Sequence, residues 1–597
     1  MKLVIVESPS KGETIQKYLG KDYIVTASKG HITELAKGGK HGLGIDFENG
    51  FKPHYILMND KVNTLNEIMR LAKKCDQILI ASDPDREGNA IAWHLQERLK
   101  DLEIPIKRLI LKEINKKEIA KSLKNTGEVD LNLFRSQEAR RVLDRIVGFK
   151  VSPFLMNFFG PNLSAGRVQS VVTRMVIDRE AEIDSFVPEN FWNISATLSV
   201  DGQNGFDTKY DTRVTDQKTA DSVVKSITNK DFIVSDVISD EERKNAPPPL
   251  ITSTLQQMMS KIFSIPADKT MKAAQKLYEQ GFCTYIRTDS VRASDDAISD
   301  LRDYLKTNNL SASTKTNLFK NKDASQDAHE CLRPTDLSVD PNTPALIDPA
   351  EKKAYELIWK YFVASQMSPA IYSTLKVIAH VDTDASIKVK ATGKALKDPG
   401  YLSILDFSSN STSKIDIPLL KKGDVLKLFG KSPIKSEKKQ TQPPPRYSES
   451  DLIKELEKKN IGRPATYADI LSKITNRDYV LKNGNVYKPT ELGKKITNVL
   501  TKFFPFMDYS YTADLEKQLD DIAENKSNYL DMLNKFYKPF NEQLNKAYCS
   551  FGSKICNKCN SPMIIRTSKQ NKNFFGCINF PKCNGIQNCE ENNDISK

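Results

Sequence analysis

The 597 residues carry 89 Lys and Arg against 76 Asp and Glu, a net charge of +13, and 39% of them are apolar. A chain of this size buries a core easily, at ~150 residues per domain it holds roughly four domains, and its positive surplus points to a polyanionic partner. No apolar run approaches the ~18 residues of a membrane span, and the opening run is closed by Glu7, which argues against a signal peptide as well. Six of the nine cysteines lie after residue 548, a clustering that suits metal binding in a reducing compartment rather than a disulfide scaffold.

Lys2-Leu3-Val4-Ile5-Val6 predicts a buried strand of a parallel sheet ending at Glu7, followed by Ser8-Pro9-Ser10-Lys11-Gly12 and a helix. A second such run, 77–82, ends at Asp83-Pro84-Asp85-Arg86-Glu87-Gly88. Open α/β sheets bind ligands at the carboxyl ends of their strands. Two strands delivering carboxylates to one edge would gather Glu7, Asp83 and Asp85, hard oxygen donors that suit Mg²⁺, with Glu87 close by and Lys11 in reach of a phosphate. Two readings stand open: this metal site, or Asp83 or Asp85 capping the next helix with Glu87 complementing its dipole. No G-x4-G-K-[ST] occurs; Gly430-Lys431-Ser432 comes nearest, with Val425 where the first glycine belongs, so no ATP site is expected.

From about 116 to 185 the pattern is helical, with Val142, Leu143, Ile146 and Val147 on one face and Arg140, Arg141, Asp144 and Arg145 off it. Arg140 and Asp144 can pair at i, i+4, whereas Arg141 and Arg145 repel unless an anion lies over them. In Ser164-Ala165-Gly166-Arg167-Val168-Gln169-Ser170, small residues let a phosphate backbone approach while Arg167 and Gln169 supply donors; the alternative is a helix start capped by Ser164. Alternation of period two marks strands from 190 to about 240 and again from about 371 to 432, and 250 to 368 reads mostly as helix. Pro247-Pro248-Pro249 and Pro443-Pro444-Pro445 punctuate the boundaries. The economical topology is a β-rich arch with a helical domain inserted into it, able to swing on two hinges.

Within the insert, Gly281 is expected to end a helix and a short strand to follow, placing Tyr285 and Arg287 on one side. A phenol with pKa ~10 is a poor nucleophile at neutral pH, and a neighbouring guanidinium both stabilises the phenolate and holds a phosphate. Packing is the alternative reading for any one of 20 tyrosines. His329 and Arg333 follow in a polar stretch, where Arg at 333 rules out H-E-x-x-H and with it a zinc protease on that motif. Residues 446–547 return to helices, and the alternating acidic and basic residues of 511–522 read as a solvated face. Cys556-x2-Cys559-x17-Cys577-x5-Cys583 matches a four-thiolate Zn²⁺ site, with Phe574, Phe575 and Phe580 either stacking on bases or forming its small core.

Taken in order, the Glu7 and Asp83 segments, the 164–170 stretch, Tyr285 to Ser290, His329 and the cysteine module resemble the bacterial type IA DNA topoisomerases of the topoisomerase I branch. The resemblance spans nearly the whole chain and includes Thr252-Ser253-Thr254-Leu255-Gln256 and Gly462-Arg463-Pro464-Ala465-Thr466-Tyr467. It implies a multidomain α/β plus α and β architecture: a Toprim domain over 1–115, a helical DNA-binding domain split over 116–185 and 435–548, and a β-rich arch split over 186–247 and 370–434. An inserted helical domain over 248–369 and a zinc ribbon over 549–597 complete a toroidal body. The implied activity is ATP-independent, Mg²⁺-dependent relaxation of negatively supercoiled DNA through a 5′-phosphotyrosine link.

Carried over by position, Tyr285 is similar to the nucleophile, Arg287 and Lys11 would stabilise the transferring phosphoryl group, and His329 would position or protonate nearby groups. Glu7, Asp83 and Asp85 would hold Mg²⁺, needed mainly for rejoining, with Glu87 close by, and Cys556, Cys559, Cys577 and Cys583 would hold Zn²⁺. His31, Arg140, Arg141, Asp144, Phe149, Arg333 and the run Ser164, Ala165, Gly166, Arg167, Val168 and Gln169 look like contacts to the cleaved strand. Phe149 stands where relatives often carry Tyr, and Cys331 where a small apolar residue is common. The resemblance further implies a monomer in the cytoplasm, associated with the nucleoid and independent of membranes. Three other readings differ in what they require. A topoisomerase III-like decatenase belongs to the same superfamily, and the Tyr285-Ile286-Arg287 context and the ribbon lean away from it. A Toprim primase or nuclease would share Glu7 and the Asp83 cluster without needing Tyr285, and a non-catalytic DNA-binding protein would turn nothing over.

Overall fold

The computed structural model describes residues 1–37, 43–321, 330–405, 415–568, 570, 572–580 and 582–588. His329 lies outside them. The N-terminal sheet has four parallel strands in the order Tyr23–Ala27, Lys2–Val6, Gln77–Ile80, Ile106–Arg108. Its two central strands are the two apolar runs of the sequence. Alternation along them sends Leu3, Ile5, Ile78 and Ile80 into a core with Ile68, Ile91 and Leu95 of the domain's own helices. Val4, Val6 and Leu79 turn the other way, into a core shared with Leu255, Leu277 and Ile358 of the inserted domain. The sheet is thus buried on both faces, as parallel sheets are, and one of those faces is a seam between two parts of the chain.

The insert comprises the helices Thr252–Phe263, Ala267–Glu279, Asp295–Thr307 and Pro349–Ser365. Gly281 follows the second of them at φ +83°, the left-handed conformation that ends helices. The expected strand after it is absent: residues 284–290 form a loop, tied by an isolated bridge between Cys283 and Pro334. Too few main-chain partners run alongside for a ladder, so the loop is fixed by side chains and by single main-chain bonds.

On either side of the insert, strands of both flanking segments build one antiparallel sheet. Asn190–Ser199 pairs with Phe206–Tyr210 as well as with Val425–Leu428, so the hydrogen-bonded circuit closes on itself. Its last strand, Ile434–Gln440, runs past residue 434 into the stretch read as helical, because its exposed, lysine-rich sequence hides the alternation. The helical body joins Leu131–Phe159 and Gln169–Asp184 to five later helices from Glu449–Lys458 to Tyr529–Ser550 around a single core. A hairpin, Val480–Asn483 with Val486–Pro489, interrupts them. A three-stranded ribbon, Met563–Thr567, Asn573–Cys577 and Ile586–Asn588, packs Ile564 and Ile578 against that same core. Among the described residues no helix is long and apolar enough to cross a membrane.

Candidate active site

Register brings the acidic groups together. The strands ending at Val6 and Ile80 are direct neighbours, and the Asp83 N–H donates to Glu7 Oε1 at 2.8 Å. Burial and the adjacent Asp83 push the Glu7 carboxyl up to about 7, although Lys11 opposes the shift. Lys11 is itself buried, with Nζ 2.8 Å from Asp83 Oδ1 and 5.4 Å above the Tyr278 ring. Ser8 caps the helix that carries it by accepting the Lys11 N–H, and its hydroxyl donates across the seam to Glu279 Oε1 at 2.8 Å.

Of the two readings of the second cluster, the structure shows the helix cap at Asp85. It caps the helix Arg86–Leu99, Oδ1 accepting the Gly88 N–H at 2.8 Å. Its other oxygen receives the Tyr285 hydroxyl at 2.6 Å and Arg287 Nη1 at 3.0 Å, from the inserted domain. Burial works against the Asp85 carboxylate, yet Arg287, the Gly88 N–H and the Tyr285 hydroxyl hold it below its ordinary range. Tyr285 moves oppositely: burial and the facing Asp85 and Asp83 raise its phenol well above 10, against the help of Arg287. The pair is therefore a phenol parked on a carboxylate. Only glycine fits at 88, where a Cβ would stand 2.2 Å from the Asp83 carbonyl oxygen.

Glu87 faces a different way, accepting from Gln137 at 3.1 Å and lying 3.1 Å from His31 Nε2. Burial would raise its pKa; the His31 contact outweighs that and lowers it. Arg333 is buried between Glu113, at 3.0 Å across the seam, and Glu330, also at 3.0 Å. Phe149 is exposed and carries the Arg145 guanidinium 4.3 Å from its ring. Arg141 is partly exposed on the same helix.

The remaining strand-contact residues are arranged differently from their simplest readings. Arg140 does not pair with Asp144; it lies 3.5 Å from Glu516, while Asp144 accepts Arg167 Nε at 2.7 Å. Arg167 is 1% exposed and also gives Nη1 to Glu516 at 2.7 Å, so its charge is directed inward in this arrangement. Taking away one partner from such a pair costs about 3–5 kcal/mol. Ser164 caps nothing, because the following helix starts at Gln169 with Val168 before it. The Ser164 N–H instead meets the Tyr479 hydroxyl at 2.8 Å, the Ala165 N–H meets Ser152 at 3.0 Å, and Gly166 lies against the Gln169 side chain.

Two buried groups escaped sequence reasoning. Arg108 donates to the main-chain carbonyls of Ile80, Leu109 and Asp83, and so sets a cation beneath the acidic loop. Glu516 is fully buried on the helix Tyr509–Ala523, in the stretch read as a solvated face. The signal was present: Glu516 interrupts the apolar series Thr512, Leu515, Leu519, Ile522 on the buried face.

The carboxylate edge suits Mg²⁺ in donor chemistry, as hard oxygens, with the Glu7 carboxyl held near 7 by burial and the adjacent Asp83. In this arrangement Lys11, Tyr285 and Arg287 occupy those oxygens. Among the described residues, only Cys556, Cys559, Cys577 and Cys583 bring three or more His, Cys, Asp or Glu ligand atoms within 4.8 Å of one another. Their sulfurs stand 3.6 Å apart between Cys556 and Cys583 and 3.4 Å apart between Cys559 and Cys577. A tetrahedron with Zn–S arms of ~2.3 Å has edges of ~3.8 Å, so the cradle fits Zn²⁺. Gly585 keeps it open, since a Cβ there would lie 2.2 Å from Cys556 Sγ. Phe575 packs on the ribbon core and Phe580 is exposed.

Known proteins match nearly the whole chain. A family profile described as DNA topoisomerase matches residues 128–534, a Toprim domain profile matches 2–114, and a topoisomerase DNA-binding C4 zinc-finger profile matches 553–592. DNA topoisomerase 1 of Pseudomonas aeruginosa is 36% identical over 97% of this chain and 72% of its own length. The solved structure of full-length topoisomerase I from Thermotoga maritima superposes with a TM-score of 0.81 at 32% identity, over 98% of this chain and 97% of that one. A Toprim edge facing a buried tyrosine, a closed β arch and a four-cysteine ribbon thus occur together in one matched order, and the chain belongs to the bacterial type IA DNA topoisomerases.

Proposed function

We propose that Tyr285 is the nucleophile with which this enzyme relaxes negatively supercoiled DNA, cutting one strand, passing the other and resealing the cut. The observation that carries the assignment is the meeting of Tyr285 and Arg287 on one Asp85 oxygen at the carboxyl edge of the Toprim sheet. The phenol oxygen attacks a backbone phosphorus while the bond from phosphorus to the 3′ oxygen breaks. Tyrosine is left on the 5′ phosphate, and the freed 3′ oxygen takes up a proton. Rejoining is the reverse, and the phosphodiester energy kept in the link removes any need for ATP.

Arg287 stabilises the charge developing on the phosphoryl group, and Lys11 supplies a second cation from the sheet side. Asp85 lies within hydrogen-bond reach of the phenol proton, and Glu7, with its pKa near 7, can hold or yield a proton at neutral pH. When bound, Mg²⁺ supplies positive charge among Glu7, Asp83 and Asp85, with Glu87 beside them, and Zn²⁺ on the four cysteines supplies the cross-link of the ribbon. His31, Arg140, Arg141, Asp144, Phe149, Arg333 and the 164–169 loop are assigned to the cleaved strand. Lifting of the inserted domain opens the path for the second strand. The enzyme acts as a monomer on the DNA of the nucleoid.

The test is a negatively supercoiled plasmid with Mg²⁺ and without ATP. Relaxation is expected, together with loss of both relaxation and the covalent adduct in Tyr285→Phe. A Tyr285→Phe protein still trapped on cleaved DNA would overturn the assignment. Decatenation measured on the same preparation separates this activity from that of a topoisomerase III-like enzyme.

A further inference from the structure

The helix Tyr509–Ala523 carries Glu516 and Asp520 one turn apart on one face. Asp520 receives Arg86 on one oxygen and Arg463 on the other. Glu516 receives Arg167 at 2.7 Å and Arg140 at 3.5 Å. These four arginines come from four separate places: the acidic loop of the Toprim sheet, the helix Leu131–Phe159, the loop before Gln169, and the turn over 460–466. Arg140 and Arg463 stand with Arg287, Asp85, Glu87 and Thr466 in the wall of a cavity of about 320 Å³ beside the tyrosine loop. Arg86 lines the same cavity, and Arg167 Nη2, Arg86 Nε and Glu516 Oε2 are buried with no hydrogen-bond partner among the described residues.

Guanidinium groups converging from separate segments repel one another, and each long side chain has many rotamers to lose. A carboxylate set between two of them fixes both forks at once. The cavity wall itself carries Arg86, Arg140, Arg287 and Arg463 together with Asp85, Glu87, Asp289 and Asp469, so what it offers a phosphate is set by how these side chains are aimed and not by a surplus of charge. Carboxylates so placed subtract from the pull on DNA, so their contribution lies in geometry.

We propose that Glu516 and Asp520 are positioning residues, which hold Arg140 and Arg463 in register with Tyr285 and, through Arg86, lock the Toprim acidic loop to the helical body. The strand phosphate then meets a preset cradle. This assignment rests on the relaxation activity proposed above.

The test uses the full chain with Asp520→Asn and Asp520→Glu. In Asp520→Asn, plasmid relaxation is expected to fall at least tenfold in kcat. Affinity for a single-stranded oligonucleotide is expected to hold or to rise up to threefold. The slope of log K against log salt is expected to steepen by about one, because a cation matched by Asp520 becomes available to phosphate. Asp520→Glu, which keeps the charge, is expected to return the salt slope to the parent value and kcat to within threefold of it. Should Asp520→Asn fail to fold, Glu516→Gln is expected to show the same split between turnover and salt slope. Turnover within twofold of the parent, or a loss that follows the folded fraction with an unchanged salt slope, overturns the inference. If the parent chain itself leaves the plasmid supercoiled, the relaxation assignment falls; if the parent relaxes it and Asp520→Asn keeps pace, only the positioning role falls.

Discussion

Gly281→Ala puts a single methyl group into the seam between the inserted domain and the Toprim domain. The residue sits at φ +83°, and a Cβ there would lie 2.5 Å from the Ile114 carbonyl oxygen. The left-handed conformation costs a residue with a Cβ about 1–2 kcal/mol. Relieving the overlap needs a backbone shift, worth about 1–3 kcal/mol. Close by, the Tyr285 N–H donates to Lys112 O at 2.9 Å and the Tyr278 hydroxyl to Leu111 O at 3.0 Å, so the methyl group pushes directly on the segment that aligns Tyr285. If even half of a total of about 2–5 kcal/mol is relieved by the inserted domain lifting, the seated form loses about five- to sixtyfold in population, since each 1.4 kcal/mol is a factor of ten. Relaxation rate and adduct formation on a labelled single-stranded oligonucleotide report the seated form, and a thermal melt reports the fold. The expected result is relaxation slowed by about fivefold or more, with a melting point lowered by a few degrees. Parent-like relaxation and melting would show that the seam does not constrain residue 281, and the reasoning would fail.

Other outcomes follow from the same geometry. Glu113→Gln leaves Arg333 with Glu330 alone on its buried side, and should weaken closure of the insert by about 1–3 kcal/mol, read as faster proteolytic cleavage of the insert without DNA; unchanged cleavage speaks against a latch. Glu7 holds its proton up to about 7 against an ordinary 4.5, so the folded chain binds that proton more tightly than the unfolded one. That contribution is complete below 4.5 and is lost as pH rises from 4.5 to 7. Denaturant midpoints of Glu7→Gln should therefore differ less between pH 5 and pH 8 than those of the parent, and identical differences would refute the shift. A zinc chelator should release about one Zn²⁺ per chain and unfold the ribbon, whose core holds little beyond Cys556, Met563 and Cys577, while the Toprim domain melts as before. Loss of Toprim signal on chelation would contradict the separation.

Strand ends and cysteine spacing were legible because their physics is local. Two apolar runs each closed by a carboxylate place Glu7 and Asp83 on one sheet edge whatever lies between them, and Cys-x2-Cys with a second pair declares a tetrahedron. Loop 284–290 was misread as a strand because Tyr285 and Arg287 alternate correctly, although among the described residues no neighbouring strand completes a ladder. The helix of Glu516 and Asp520 was misread for the opposite reason. Its partners Arg86, Arg140 and Arg167 lie more than 300 residues earlier in the sequence, and mixed charge on a helix cannot reveal a distant counter-ion. Ser164 and Val168 teach a related point: a cap-like serine near a helix start is bound by Tyr479, from the second part of the helical body, and the helix begins later.

Besides the Asp85 side chain, main-chain atoms of the Toprim domain align Tyr285: the Lys112 and Leu111 carbonyls accept from the insert, and the Ile114 carbonyl sets the spacing at Gly281. Substitutions at 111, 112 or 114 change side chains and leave those oxygens in place. A small molecule that wedges this seam by bonding to the three carbonyls would compete with atoms no point mutation can remove, and the routes to resistance would narrow to changes that disturb the seating of Tyr285 itself.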